Sequence, residues 1–217
     1  MSQKEITKCI LGILITLMVF GCSYAVPTKV SPAVNIYSSY EDKVPGEVVL
    51  VFNDNIKNIH IDVRPSSHMC SAHTFPIDLK DTLATSIRQT MENIFNGVSE
   101  RQNLPTKHEM ELQKINGTIF VSLKRFEPSI RFSAGFWQGY ATATCEIVLD
   151  VSIADKNNKK IMTTSVGASR TAEGSGGCSR GSEVLSDAIS KATQETMERL
   201  AERVSNSRNI RESFRKN

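Results

Sequence analysis

The chain has 217 residues, of which 40% are hydrophobic and 23% charged, and a formal net charge of +3. That much apolar material excludes an intrinsically disordered chain and suffices for one packed domain. A charge so close to neutral leaves no electrostatic footprint for nucleic acid, and no nucleic-acid partner is expected.

The N-terminus reads as an export signal. Lys4 and Lys8 form a small basic region, residues 9–20 are apolar, and Gly21 precedes Cys22. A helix of 12 residues reaches roughly 18 Å, well short of the ~30 Å hydrocarbon core, so a permanent span is not expected. The run Val19-Phe20-Gly21-Cys22 resembles the lipobox of bacterial lipoprotein precursors. The resemblance implies that residues 1–21 are removed and that Cys22 becomes a lipidated N-terminus attached to a membrane of the cell envelope. Ser23 after Cys22, in place of Asp, resembles lipoproteins released to the outer membrane and facing the periplasm. A plain signal cut after Ala25 and an uncleaved anchor are the competing readings.

Residues 22–46 carry Pro27, Pro32, Pro45 and several Ser, which reads as a tether. A single domain is expected over 47–204. Residues 47–53 predict a strand, Asp54-Asn55 a turn, and 56–64 a second strand forming a hairpin with the first. An irregular stretch, 65–76, carries His68, Cys70 and His73. Asp78 is placed as an N-cap, and the apolar spacing Leu79, Leu83, Ile87, Met91, Ile94, Phe95, Val98 predicts a long helix over 79–98. Residues 115–126 read as a strand, linked by 127–139 to another over 140–154. That strand alternates, with Ala141, Ala143, Cys145, Ile147 and Leu149 on one face and Thr142, Thr144, Glu146 and Asp150 on the other. Residues 160–172 return as its hairpin partner. A Gly-rich loop, 174–181, precedes a second long helix over 182–204. Residues 205–217 read as a basic tail. The order predicts an α+β fold: an antiparallel sheet of about five strands with two long helices packed on one face. The other face is then wet or an interaction surface.

Three constellations bear on function. Cys70 and Cys178 each lie in an irregular loop just ahead of a long helix, so they are expected to meet as a disulfide, leaving Cys145 as a buried free thiol. His68, Cys70 and His73 form a spacing that could hold Zn or Cu, but a cysteine in a disulfide is not a thiolate ligand, so the two readings compete. Phe132, Phe136 and Trp137 lie between two strands, either at a hairpin tip in contact with a partner or membrane, or folded back onto the core. The loop 174–181 lacks the ending of a phosphate-binding loop. No nucleophile motif supports an envelope hydrolase, and no cofactor is expected.

The tether, the helix from Leu79, the strand pair 140–172 and the closing helix from Ser182 together resemble the YajG-like group of small bacterial envelope lipoproteins. The resemblance lies in the order of elements and carries over no catalytic residue. It implies a membrane-anchored binding or assembly module with a protein partner in the envelope. A metal-binding lipoprotein using His68, Cys70 and His73 is the alternative.

Overall fold

The strand 44–52 organises the fold, because its residues 48–52 are buried without alternation. A strand wet on one face alternates, whereas one covered on both faces reads as a continuous apolar run. The computed structural model describes residues 24–33, 36, 42–135 and 139–215. Its strands are β1 (Tyr24–Ala25), β2 (Val44–Phe52), β3 (His60–Val63), β4 (His73–Asp78), β5 (Phe95–Arg101), β6 (Ile115–Ala134), β7 (Gly139–Asp155) and β8 (Lys160–Ser175). Its helices are α1 (Asp54–Lys57), α2 (Thr82–Ile94), α3 (Lys107–Leu112), α4 (Gly181–Ser205) and α5 (Arg208–Arg215), with a 3-10 turn at Cys178–Arg180.

The main sheet has the order β5-β2-β6-β7-β8, and a small sheet has the order β1-β4-β3. β2 pairs in parallel with both β5 and β6. β6, β7 and β8 follow as an antiparallel meander. The expectation of an antiparallel sheet is therefore corrected: the five strands are mixed. The expected hairpin is also absent. β2 and β3 lie in different sheets, separated by the turn of α1, and β3 pairs antiparallel with β4, His60 opposite Asp78.

Among the described residues, only one helix is long. α4 has 25 residues and α2 has 13. The apolar spacing that suggested a helix to Val98 continues into β5, because Phe95 takes extended backbone at φ −107° and ψ 152° and its strand pairs with β2. The N-cap position belongs to Asp81, while the Asp78 carboxylate accepts the N–H of Lys80 at 2.9 Å. α2 and α4 pack on the inner face of the sheet. There Leu50, Ile119, Cys145, Ile147, Leu149, Ile87, Met91, Leu185 and Ile189 form one core. On the opposite face of β2, a separate cluster of Val49, Val51, Met110 and Ile115 lies under α3. α3 is set by a capping box between Thr106 and Glu109.

The described residues of the segments read as tether and tail take regular structure and contacts with the domain. Tyr24 and Ala25 pair in parallel with His73 and Thr74. The Thr28 N–H then donates to the Pro76 carbonyl at 2.9 Å, the Ser186 hydroxyl donates to the Lys29 carbonyl, and the Ala33 N–H donates to Ser86 Oγ. At the other end, residues 208–215 form α5, whose Ile210 and Phe214 are buried. Among the described residues, no helix is long and apolar enough to cross a membrane.

Candidate functional site

The outer face of β6, β7 and β8 is set by the central strand β7, whose residues alternate strictly. Inward residues of β7 are buried from Ala141 to Ile153, and the residues between them face solvent in part. The register places Ser129, Thr144 and Thr171 in one row across the three strands, with Arg131, Thr142 and Glu173 in the next. Thr144 Oγ1 and Thr171 Oγ1 are 3.1 Å apart, and the Ser129 hydroxyl donates to the Thr144 carbonyl at 3.4 Å. Such cross-strand hydroxyl pairs fix the side chains in place.

Several of the charges on this face pair with one another. Arg125 donates to Glu146 at 2.7 Å and lies 3.5 Å from Glu127. The hydrogen bond to Glu146, then the charges of Glu146 and Glu127, hold the guanidinium more firmly protonated than usual. Lys124 and the Ser165 hydroxyl both approach the Asp150 carboxylate. What the face offers is a lattice of hydroxyl donors and acceptors with balanced charge.

Beyond the end of β2, the free side of β6 is covered in two steps. The Asn55 side chain donates to the Leu123 carbonyl at 2.9 Å and accepts the Leu123 N–H at 3.4 Å, standing in for a strand. Further along, the Ser66 N–H donates to the Ile130 carbonyl and the Phe132 N–H donates to Ser67 Oγ, both at 2.9 Å. The loop 64–72 is thereby laid against β6, and a shallow groove opens beside it, lined by Ser66, Ser129, Arg131, Ser133, Thr142 and Thr144.

Cys70 in this loop is joined to Cys178 in the 3-10 turn, with 5.6 Å between Cα atoms. The bond ties the loop to the start of α4. Cys145 is free and buried. Burial first, and the neighbouring charge of Glu146 second, push its thiol up to about 12. His68 is exposed. His73 is half-buried, its ring 5.6 Å from Tyr24 and 6.4 Å from Phe75. With Cys70 bonded to Cys178, the spacing His68, Cys70, His73 has no thiolate to offer. Among the described residues, no group of three or more His, Cys, Asp or Glu side chains is arranged to hold a metal ion.

Phe132, expected at a partner contact, is buried and stacked on Phe75 with 6.0 Å between ring centroids. Gly181 makes room for both rings, since a Cβ there would lie 2.6 Å from each. That expectation is corrected for Phe132. Phe136, Trp137 and Cys22 lie outside the described residues. The hydroxyl rows were half legible. The alternation of 140–154 marked one wet face, but its partner residues in β6 lay in a stretch read as a link. Pro128 and the bulge between Leu123 and Arg125 interrupt the pattern there.

No family model and no curated protein matches the chain. Among solved structures, it is similar to a Xanthomonas campestris protein of family DUF330, at 16% identity and TM-score 0.42, over 82% of this chain and 91% of that one. It is also similar to a homolog of neuraminyllactose-binding hemagglutinin from Helicobacter pylori, at 10% identity and TM-score 0.42, covering 84% and 96%. A minor lipoprotein of Acinetobacter baumannii is similar at 9% identity and TM-score 0.35, covering 79% and 96%.

Proposed function

We propose that the chain is a lipid-anchored accessory module of the bacterial envelope that binds a protein partner through the outer face of β6, β7 and β8. The observation that carries this reading is the open hydroxyl lattice of Ser129, Thr142, Thr144 and Thr171 on three long paired strands. One face of those strands closes the core, and the other is left polar, ordered and charge-balanced. Such a face favours a partner recognised by many hydrogen bonds over one recognised by net charge. The lipobox-like run at Cys22 supports the membrane attachment. A single acyl chain binds only marginally, whereas the several chains of a lipoprotein cysteine hold durably.

The test is co-purification of the full-length protein from solubilised envelope membranes, comparing the wild type with Thr171→Arg. Thr171 is exposed, so the variant is expected to fold normally. Its recovery of partner should drop by about tenfold, the equivalent of ~1.4 kcal/mol of binding. Equal recovery by both forms would remove this face from the binding function.

A further inference from the structure

Tyr24 follows Cys22 by two residues, and its backbone N–H donates to the Ala72 carbonyl at 3.0 Å. Two extended residues span at most about 7 Å. The chain leaving Cys22 is thus bound to the domain almost at once. Ala72 ends the loop that carries Met69 and Cys70. Cys70 is bonded to Cys178, and nearby the Gly176 N–H donates to the Gly139 carbonyl at 2.9 Å. Met69 Cε lies 3.5 Å from where a Cβ on Gly139 would stand, and Tyr140 is next in the chain. These contacts gather Tyr24, Met69 and Tyr140 at one end of the molecule.

The three are 64%, 39% and 48% exposed. Among the described residues, the other exposed large hydrophobic side chains are Leu104, just before α3, and Leu112, its last residue, near the start of β6 and so at the opposite end of that strand. Arg131 lines the same depression as Met69, where a long cationic side chain can reach phosphate while its stem lies on apolar surface. Two tyrosines, a methionine and an arginine make a composition suited to the membrane interface, where amphipathic rings are favoured.

We infer that this end of the domain is a second membrane contact, seated on the phospholipid headgroups beside the acylated Cys22. The inference rests on the proposed acylation. An interfacial layer is roughly 5–8 Å deep on each side of the hydrocarbon core, and the reach from Cys22 to Tyr24 is about 7 Å. Acyl chains on Cys22 therefore bring Tyr24, Ala72 and the loop 64–72 into that layer, with no length of chain to let the domain stand away. The β6–β7 hairpin then rises from the membrane with its hydroxyl face turned sideways.

The experiment uses the full-length protein from a bacterium that acylates lipoproteins, reconstituted in phosphatidylethanolamine and phosphatidylglycerol vesicles. Its non-acylated Cys22→Ala counterpart in aqueous buffer is the reference. Hydroxyl-radical footprinting reads oxidation at Met69, Tyr24 and Tyr140 against Met162, half-buried near the far end of β8. Mass spectrometry reads acylation at Cys22. The expected result is an acylated Cys22 with Met69 oxidation reduced several-fold relative to Met162 in vesicles. An acylated Cys22 with an unchanged ratio would overturn the surface contact and leave the anchor standing. A full chain with Cys22 unmodified would overturn both.

Discussion

The ring of Phe214 lies tilted against that of Phe95, with 5.6 Å between centroids and 58° between planes. Phe95 opens the edge strand β5, and Phe214 comes from the last helix of the fold. Gly117 leaves the space that Phe214 fills, since a Cβ there would meet the ring at 2.6 Å. Phe214→Ala is expected to cost about 3–5 kcal/mol, the usual result of emptying a buried aromatic site. Urea unfolding followed by circular dichroism measures it. A loss under about 1 kcal/mol, the range of ordinary surface changes, would mean that α5 is peripheral after all.

The Cys70–Cys178 bridge spans 108 positions of sequence. Closing so long a loop restricts the unfolded chain, and removing such a bond typically costs about 2–5 kcal/mol. Cys178→Ser should therefore lower the urea midpoint markedly and steepen the slope, because the unfolded chain, released from the crosslink, exposes more surface. Adding reductant to the wild type should reproduce the shift, and adding it to the variant should do nothing further. A variant as stable as the wild type would show that the backbone hydrogen bonds from Ser66 and Phe132 hold the loop unaided.

Cys145 predicts a pH dependence with a definite sign. Its thiol is pushed up to about 12 in the fold from an ordinary value of 9.0. The folded state thus keeps a proton that the unfolded chain gives up first. The stabilisation is fully present below pH 9 and is lost as pH rises from there towards 12. Cys145→Ala should flatten the fall in stability over that window, measured by unfolding at stepped pH. In the native protein at neutral pH, a thiol reagent should label Cys145 far more slowly than in urea.

The sequence-level reading succeeded where a single period ran undisturbed. β7 alternates cleanly from Ala141 to Ile153, and both its buried face and its wet face were visible in advance. α4 was placed within a residue or so at each end. The pairing of Cys70 with Cys178 followed from their matching positions ahead of helices. The failures have local physical causes. In α2 and β5 the apolar spacing passes smoothly from helix to strand, so Phe95 and Val98 fit a helical face that the backbone abandons at Ile94. In β2 the run Val48 to Phe52 lacked alternation, which is the mark of a strand covered on both faces, and a hairpin was the wrong conclusion to draw from it. Ile210 and Phe214 sit four apart among charged residues, a spacing that marks a helix face, yet the basic residues around them suggested a tail. The docking of Tyr24 onto His73 left no periodic trace, because two residues are too few to carry one.

The double burial of β2 also has a temporal side. Val48 must find Val98 on one edge and Gly117 on the other, and both lie far downstream. No neighbour in sequence can complete the strand early, because the segment that follows it turns away into α1 and the small sheet. Folding that depends on such distant partners is slow compared with folding through local contacts. Until the chain has been made to just past its middle, where Gly117 lies, β2 has a partner for at most one of its two edges.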